Sequence, residues 1–473
     1  MSPDAVVVGA GPNGLAAAIT IARAGRSVVL LEAAETLGGG LRSAELTLPG
    51  FIHDVCSSAH PLGVASPFFR SIDLARYGLE WVHPELPFAH GLAPDRMVPL
   101  HRSFDQMESV LGRDGKAWRR LLEPLVREQD RLLPMLLRPV VRFPRHPLLL
   151  ARFGLPALLP MTALGRLAFR GREPRALLAG TAGHAAVPFS SPLSASFGMV
   201  LVMLAHAVGW PVARGGSQRI ADAMAAEAQA LGVEIVAGHR VRSLADVPPA
   251  RAIVLDVTPR QLLAIAGDRL PGRYAERLQR FRYAPGVVKL DWALSDPIPW
   301  RDSVARRAGT IHLGGTLNDI RRAETAAFAG RVPDHPYVVL IQPTAADPSR
   351  APVGGHVAWA YTHVPNGSNL DLSEALEREV ERFAPGFRDV ILARHVMTAP
   401  ELEAHDGNFV GGDINGGMQD WRQLVFRPFV RWNPYAVAGN PELFLGSAST
   451  PPGGGVHGMS GWHAAESALR RLT

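Results

Sequence analysis

Residues 4–43 read DAVVVGAGPNGLAAAITIARAGRSVVLLEAAETLGGGLRS. The run Ala5 to Val8 has the length and β-branching of a strand buried on both faces. Gly9, Gly11 and Gly14 follow as G-x-G-x-x-G. In that pattern the first glycine permits the tight turn, the second lets a pyrophosphate approach the backbone, and the third lets a helix pack close to the strand. Pro12 suits the first helical turn, Asn13 lies beside it, and Gly25 is a C-terminal stop. Free N–H groups at the helix start are expected to face phosphate. Ser27 to Leu31 reads as a second strand. Glu32 ends it, 18 residues after Gly14, close to the ~20-residue spacing of an acid that holds a ribose hydroxyl. Strand, turn, helix, strand and acid agree on a dinucleotide site, with Ala33 next to the acid.

A second glycine turn, Gly38-Gly39-Gly40-Leu41-Arg42-Ser43, follows at once. A nicotinamide site has no need of it. A flavin nucleotide is longer, and a second close backbone approach at Gly39 and Gly40 suits its ribityl and pyrophosphate region, with Arg42 adding positive charge. The plainer reading is an ordinary loop with Arg42 in solvent.

The chain has 473 residues, 47% of them hydrophobic, enough for a large core and more than one domain. Its single cysteine, Cys56, excludes an internal disulfide and any multi-cysteine metal site, and no metal is expected. No secretory signal precedes the first strand, so a cytoplasmic location is expected. The net charge is +6, but only Lys116 and Lys289 are lysines, so the arginine excess reads as compositional habit. With no aromatic–basic motif or zinc finger, no nucleic-acid partner is expected.

Further along, Asp54, Ser57, Ser58 and His60 cluster just beyond the second glycine turn. They read equally as an active-site wall or as loop residues bonding their own backbone. From Arg131 to Arg172 there is no acid, and arginines alternate with Leu, Phe, Val and Met, broken by prolines. That excludes a ~20-residue membrane span. Two readings stand side by side: an apolar, arginine-flanked segment lying on an anionic bilayer, or a helical lobe with inward leucines. Phe197 to Val208 reads as a buried helix lining a substrate cavity, with His206 a satisfied core histidine. Gln218 to Ala230 reads as a helix, and Val233–Val236 and Ala252–Leu255 as strands joining the first sheet, with Asp256-Val257-Thr258-Pro259 as a strand-to-helix loop. Gly286 to Leu294 alternates like a half-buried strand. Val338–Ile341, His356–Thr362 and Val390–Thr398 extend it into an antiparallel sheet. The C-terminus, strand Leu443 to Leu445, then Gly446 and PPGGGVHGMSG before a helix, makes a second anion-favouring helix start, suited to reduced flavin.

The N-terminal pattern E-x5-G-G-x-x-R-S, the central GGSQRIADAMAAEAQALGVEIVAGHRV and the ending LFLGSASTPPGGGVHGMSGWHAAESAL resemble phytoene desaturase-like FAD oxidoreductases, a family with carotenoid isomerase, retinol saturase and amine oxidase relatives. The resemblance implies non-covalent FAD. It places Gly9, Gly11, Gly14 and Glu32 on the adenosine diphosphate part, Gly39 and Arg42 near the pyrophosphate and ribityl chain, and Val241 on adenine through its backbone. Gly446, Gly455, Val456 and Met459 would surround the ribityl chain and isoalloxazine. Ser447 departs from the family pattern after Gly446. GVVKLDWAL resembles the amine oxidase strand whose lysine holds a water near flavin N5, so Lys289 is either a proton-handling group or a solvated strand lysine.

The expected fold is α/β: a discontinuous Rossmann-like FAD-binding domain (1–65, 209–265, 436–473), an antiparallel-sheet substrate domain (66–110, 266–435) and a helical lobe (111–208) as a membrane or substrate-access element. The expected activity is FAD-dependent desaturation of a hydrophobic, isoprenoid- or polyketide-like small molecule, by hydride transfer to flavin N5. His457, His60 and Lys289 are the candidates for proton handling. Redox-neutral isomerisation or double-bond saturation is the alternative, with amine oxidation and a non-catalytic flavoprotein behind. The expected location extends to the inner face of the membrane if the lobe lies on lipid. Nothing in the sequence sets an oligomeric state.

Overall fold

The computed structural model describes residues 2–139 and 142–473. Twelve strands form its two principal sheets: β1 (Ala5–Val8), β2 (Val28–Leu31), β3 (Leu86–Ala93), β4 (Arg96–Leu100), β5 (Glu234–Val236), β6 (Ala252–Leu255), β7 (Gly286–Leu294), β8 (Ala308–Leu313), β9 (Val338–Ile341), β10 (His356–Val364), β11 (Ile391–Met397) and β12 (Leu443–Leu445).

The first sheet has the order β12-β6-β1-β2-β5 and is parallel throughout. Its segments AVVV, VVLL, AIVL and LFL are apolar without alternation because both faces are covered. On one face lie the helices Pro12–Arg23, Gln218–Ala230 and Met459–Leu472, joined through Ala16, Ile19, Ala221, Met224 and Ala464. On the other lie Leu262, Ile265, Tyr274 and Leu278. Three separated stretches of chain therefore make one sheet. The C-terminal helix starts at Met459, three residues before the expected Trp462, so its first turn begins inside the glycine loop.

The second sheet has the order β11-β7-β10-β9-β8-β3-β4. It is antiparallel except for one parallel pairing, β3 with β8. Alternation predicts a half-buried strand at β7, but all nine of its residues are buried. The reason is cover on both sides. Leu290, Trp292, Leu340 and Ala358 pack against Leu376, Val380 and Phe383 of the helix Ser373–Phe383. The opposite face, with Phe88, Val339, Ile341, Trp359 and Tyr361, packs against the lobe.

The lobe is a set of short helices, among them Gly115–Arg127, Gln129–Leu136, Pro147–Ala157, Met161–Ala168, Arg172–Gly183 and Ser194–Ala207. Pro147 starts one of them in the first turn, where a missing N–H costs nothing. Leu177, Leu178, Met199 and Val202 face the sheet. Leu148, Leu155 and Leu167 instead face solvent, at 86%, 70% and 76% exposure. The lobe therefore carries both inward and solvent-facing leucines. Among the described residues no single helix is long and apolar enough to cross a membrane.

Candidate functional site

A cavity of about 1260 Å³ runs among the two sheets and the lobe. Its volume exceeds the roughly 300–1,000 Å³ of ordinary ligand pockets, so it has room for a dinucleotide and a second molecule.

One end is built by the two glycine turns. Gly9, Gly11, Pro12, Asn13, Glu32, Ala33, Gly39, Gly40, Arg42 and Val241 all line it. A Cβ on Gly14 would lie 1.8 Å from the Gly9 carbonyl oxygen, so only glycine lets the helix close on the strand here. Gly39 has φ +53°, and a Cβ there would stand 3.3 Å from Gly11 Cα, so the two turns meet backbone to backbone. Glu32 accepts hydrogen bonds from the N–H groups of Ala10 at 2.7 Å and Ala34 at 2.9 Å, which fixes its carboxylate at the strand end. Arg42 is not a solvated loop residue: its guanidinium donates to the carbonyls of Gly39 at 3.1 Å and His405 at 2.7 Å. From the C-terminal segment, Ser447, Gly455, Val456 and His457 line the cavity. Gly446 and Met459 stand behind them. A Cβ on Gly446 would lie 2.8 Å from Ala464 Cβ, so this glycine lets the last helix pack, and Met459 is buried in the sheet core.

The N–H groups at the start of the first helix are not all free. Gly14 N–H donates to Asp256 Oδ2 at 2.8 Å. Asp256 directly follows β6, is buried and lines the cavity. Burial, reinforced by Asp406 and Glu32, pushes its carboxyl up to about 8 against the pull of the Gly14 N–H.

The three proton-handling candidates are placed differently. His60 lines the cavity and is buried. Ser217 Oγ gives its hydrogen to the Ser57 carbonyl at 2.6 Å, so His60 Nε2–H donates to Ser217 at 2.9 Å. Its Nδ1 is then an acceptor without a partner among the described residues. Burial holds its pKa down at about 4, so the ring is neutral. His457 also lines the cavity, but Nδ1 accepts from the Met459 N–H at 3.0 Å and Nε2–H donates to the Gly453 carbonyl at 3.1 Å. Both nitrogens are used, and the ring holds the glycine loop in shape. Lys289 is neither solvated nor on the wall. It is buried, bonded to Asp291, and 4.7 Å from the centre of the Trp359 ring, with Trp359 and Tyr361 lining the cavity in front of it. Asp291 is held well below the usual carboxylate range: burial would raise it, but Lys289, His395 and His53 together pull it down.

The polar cluster after the second glycine turn divides: Ser57 and His60 line the cavity, and Asp54 is an anchor. Asp54 accepts from Ser43 Oγ and the Ser217 N–H, both at 2.8 Å, and pairs with Arg350 at 2.9 Å. Burial would raise its pKa, but Arg350 and these donors hold it at about 2. His206 is satisfied in the core, accepting from Trp118 Nε1 at 3.0 Å and meeting the Arg102 carbonyl at 2.9 Å.

The other end of the cavity is apolar. Leu133, Leu136, Leu150, Phe153, Phe197, Val200, Leu201, Val339, Ile341 and Trp359 line it. Leu158 both lines it and is 55% exposed, which puts the mouth at the end of the helix Pro147–Ala157. Among the described residues, the four carboxylates on the cavity wall, Glu32, Asp256, Glu403 and Asp406, belong to the glycine-turn end. There Asp406 Oδ2 lies 3.1 Å from the Cβ position of Gly39, and Glu403 pairs with Arg260.

At this apolar end lies a hydrogen-bonded chain that the motifs did not single out. Tyr361 Oη is 3.2 Å from His184 Nδ1, and His184 Nε2 is 2.9 Å from His312 Nε2. Tyr361 and His184 line the cavity, with His312 behind. Burial keeps His184 neutral, at about 4, and the Tyr361 phenol protonated. Period-2 spacing was the available signal: Trp359, Tyr361 and His363 alternate along one face of β10. For Asp256 it was an acid at the carboxyl end of a parallel strand, where such sheets bind ligands.

Residues 7–72 match the NAD(P)-binding Rossmann-like domain model. The chain is 27% identical to pyridine nucleotide-disulfide oxidoreductase domain-containing protein 2 of Rattus norvegicus, over 99% of this chain and 94% of that protein. It is 28% identical to phytoene dehydrogenase of Streptomyces griseus, over 95% of this chain and 92% of that one. The fold superimposes on a triple mutant of putrescine oxidase with a TM-score of 0.66, 17% identity and 99% of each chain covered. Together these similarities support a phytoene desaturase-like FAD oxidoreductase family. The residues present fit FAD: two glycine turns meet at a cradle that side chains would fill, and buried Asn13 Oδ1, Asn408 Oδ1 and His405 Nε2 on the wall have no partner among the described residues.

Proposed function

We propose, from the premise that this chain is a phytoene desaturase-like FAD-dependent oxidoreductase, that it desaturates an uncharged, hydrophobic small molecule of isoprenoid or polyketide type. One observation carries the reading: among the described residues the apolar end of the cavity has no carboxylate, so an ammonium there has no counter-ion, while a hydrocarbon chain meets a wall made mainly of leucine, phenylalanine and valine. This ranks amine oxidation below desaturation.

FAD, when bound, supplies a two-electron acceptor for a hydride leaving carbon. Gly9, Gly11, Gly39, Gly40 and Val241 would hold it through backbone approach, with Glu32 on the ribose, Arg42 near the phosphates and Gly455 and Val456 near the ring. Leu150, Phe153, Phe197 and Val200 bind and orient the substrate and exclude water. Loss of a hydride from carbon makes the neighbouring C–H strongly acidic, so a weak base suffices to take the proton. His184, kept neutral by burial, holds Tyr361 and passes that proton toward His312. His457 and Lys289 act through structure, the first by fixing the glycine loop and the second by balancing Asp291.

The lobe is read as the side from which substrate arrives. The helix Pro147–Ala157 gives Phe153 and Ala157 to the cavity and Leu148 and Leu155 to the outside, amid exposed Arg145, Arg152 and Arg166. Apolar groups flanked by arginine suit contact with an anionic bilayer that carries the substrate. The test is product mass after anaerobic incubation of the FAD-loaded protein with host lipid extract. Desaturation predicts a loss of two hydrogens per turnover; an unchanged mass means isomerisation, a gain of two means saturation, and either outcome overturns desaturation.

A further inference from the structure

We infer that Asp256 binds the cofactor as the neutral acid, standing as a hydrogen-bond donor beside the dinucleotide's phosphates, so that loading the cofactor is coupled to protonation of this one carboxyl. The inference rests on the reading of the glycine-turn end as the FAD site.

The geometry leads to it. A dinucleotide's phosphates lie over the start of the first helix, where the N–H groups point. Asp256 already occupies that position from the other side. Its Oδ2 accepts the Gly14 N–H at 2.8 Å and lies 3.1 Å from the Cβ position of Gly11, the glycine that admits the pyrophosphate. Its backbone carbonyl is fixed by Asn408 Nδ2 at 2.9 Å. No hydrogen bond among the described residues reaches Oδ1. A buried carboxylate in this place would meet the phosphates' negative charge at close range and low dielectric. A neutral carboxyl meets them with an O–H.

The surrounding charges set which acid takes the proton. Glu32 faces the site from the end of β2 and Asp406 from the loop that follows His405. Arg42 offsets Asp406, and Glu403 is paired with Arg260. Among the described residues no cation offsets Asp256: burial, Asp406 and Glu32 all act against its ionisation, and only the Gly14 N–H favours it. Phosphate binding adds negative charge in the same direction.

The consequence is a sign and a window. The free protein holds the Asp256 proton up to about pH 8. Below that, FAD affinity is flat with pH. Above it, each pH unit costs a tenfold loss of affinity, because one proton must be taken up with each FAD.

The experiment uses apoprotein and FAD, with quenching of flavin fluorescence as the readout from pH 6.5 to 9. Calorimetry in two buffers of different ionisation enthalpy at pH 9 counts protons directly in the unaltered chain. The inference predicts one proton taken up per FAD at pH 9, a tenfold weakening of Kd per unit above pH 8, and a flat profile in Asp256→Asn. That substitution keeps the acceptor for Gly14 and removes the titration. FAD binding without proton uptake, or an unchanged slope in the variant, overturns the inference and leaves the cofactor reading intact. Failure of the unaltered apoprotein to bind FAD at any pH overturns both.

Discussion

The hydroxyl of Tyr361 lies 3.2 Å from Nδ1 of His184, and both side chains line the apolar end of the cavity. His184 passes the connection to His312 at 2.9 Å, and His312 Nδ1 has no partner among the described residues. Such a chain has two arrangements. In one, Tyr361 donates to His184 and His184 to His312; in the other every bond is reversed and the Tyr361 hydrogen is free for the cavity. Going from the first to the second, Tyr361 takes up a proton from the cavity side and His312 gives one up from Nδ1, with no heavy atom moved.

Replacement of Tyr361 by Phe removes the first link. The rate of flavin bleaching by substrate should fall about 10²-fold, the lower end of general acid–base contributions. FAD affinity should not change, because Tyr361 belongs to the apolar end of the cavity and not to the glycine turns. Stopped-flow reduction and FAD titration separate the two; equal loss in both assigns Tyr361 to packing.

Lys289 is predicted to be a stability residue. Lys289→Met leaves Asp291 buried without its cation, at a cost of about 3–5 kcal/mol. Replacing the pair together, Lys289→Met with Asp291→Leu, should recover much of that loss, since a buried ion pair gives little net stability over well-packed apolar groups. Denaturant unfolding checks this. A stable single variant with lost turnover would return Lys289 to the chemistry.

Acid should destabilise the fold through its buried histidines. His60 and His457 fall from 6.5 to about 4 on burial. Each is neutral in the folded chain, while the unfolded chain takes up a proton below pH 6.5. Their contribution is therefore complete above pH 6.5 and is lost as the pH falls toward 4, on the order of 3 kcal/mol each at 1.36 kcal/mol per unit. Urea midpoints should drop steeply between pH 6.5 and 5. Replacing His457 by Gln should flatten part of that drop; an unchanged pH profile contradicts it.

The lobe's outer face should bind anionic vesicles. Cosedimentation with phosphatidylglycerol vesicles should be strong at low salt and weaken as salt rises, because the arginines act over a Debye length of about 10 Å at 0.1 M. Leu148→Glu with Leu155→Glu should abolish it and leave FAD content unchanged, since both side chains point away from the cavity. Retained binding in the double variant would place any membrane contact elsewhere.

Much of this was legible in the sequence wherever a local rule fixes both residue type and spacing. The first strand, the glycine turns and Glu32 belong to one contiguous β-α-β unit, and backbone geometry dictates each residue in it. The parallel strands β6 and β12 showed as short apolar runs. What stayed hidden depends on contacts between distant segments. His457 sits in a glycine loop, as a catalytic residue would, yet both its nitrogens are taken by that loop's own backbone. Lys289 and Asp291 alternate on β7 as residues of a solvated face would, but Trp359, His395 and, from the segment after the second glycine turn, His53 pack against them. Tyr361, His184 and His312 come from segments far apart in the chain, and only the sheet and the lobe together bring them into line.

The most direct test of the account is the visible spectrum of the purified protein, before and after anaerobic incubation with host lipid extract. The account predicts a flavin spectrum that bleaches while a neutral lipid loses two hydrogens. A protein that takes up no FAD even after reconstitution would contradict the assignment of both glycine turns. A bound flavin bleached by amines and untouched by lipid would contradict the reading of the apolar cavity.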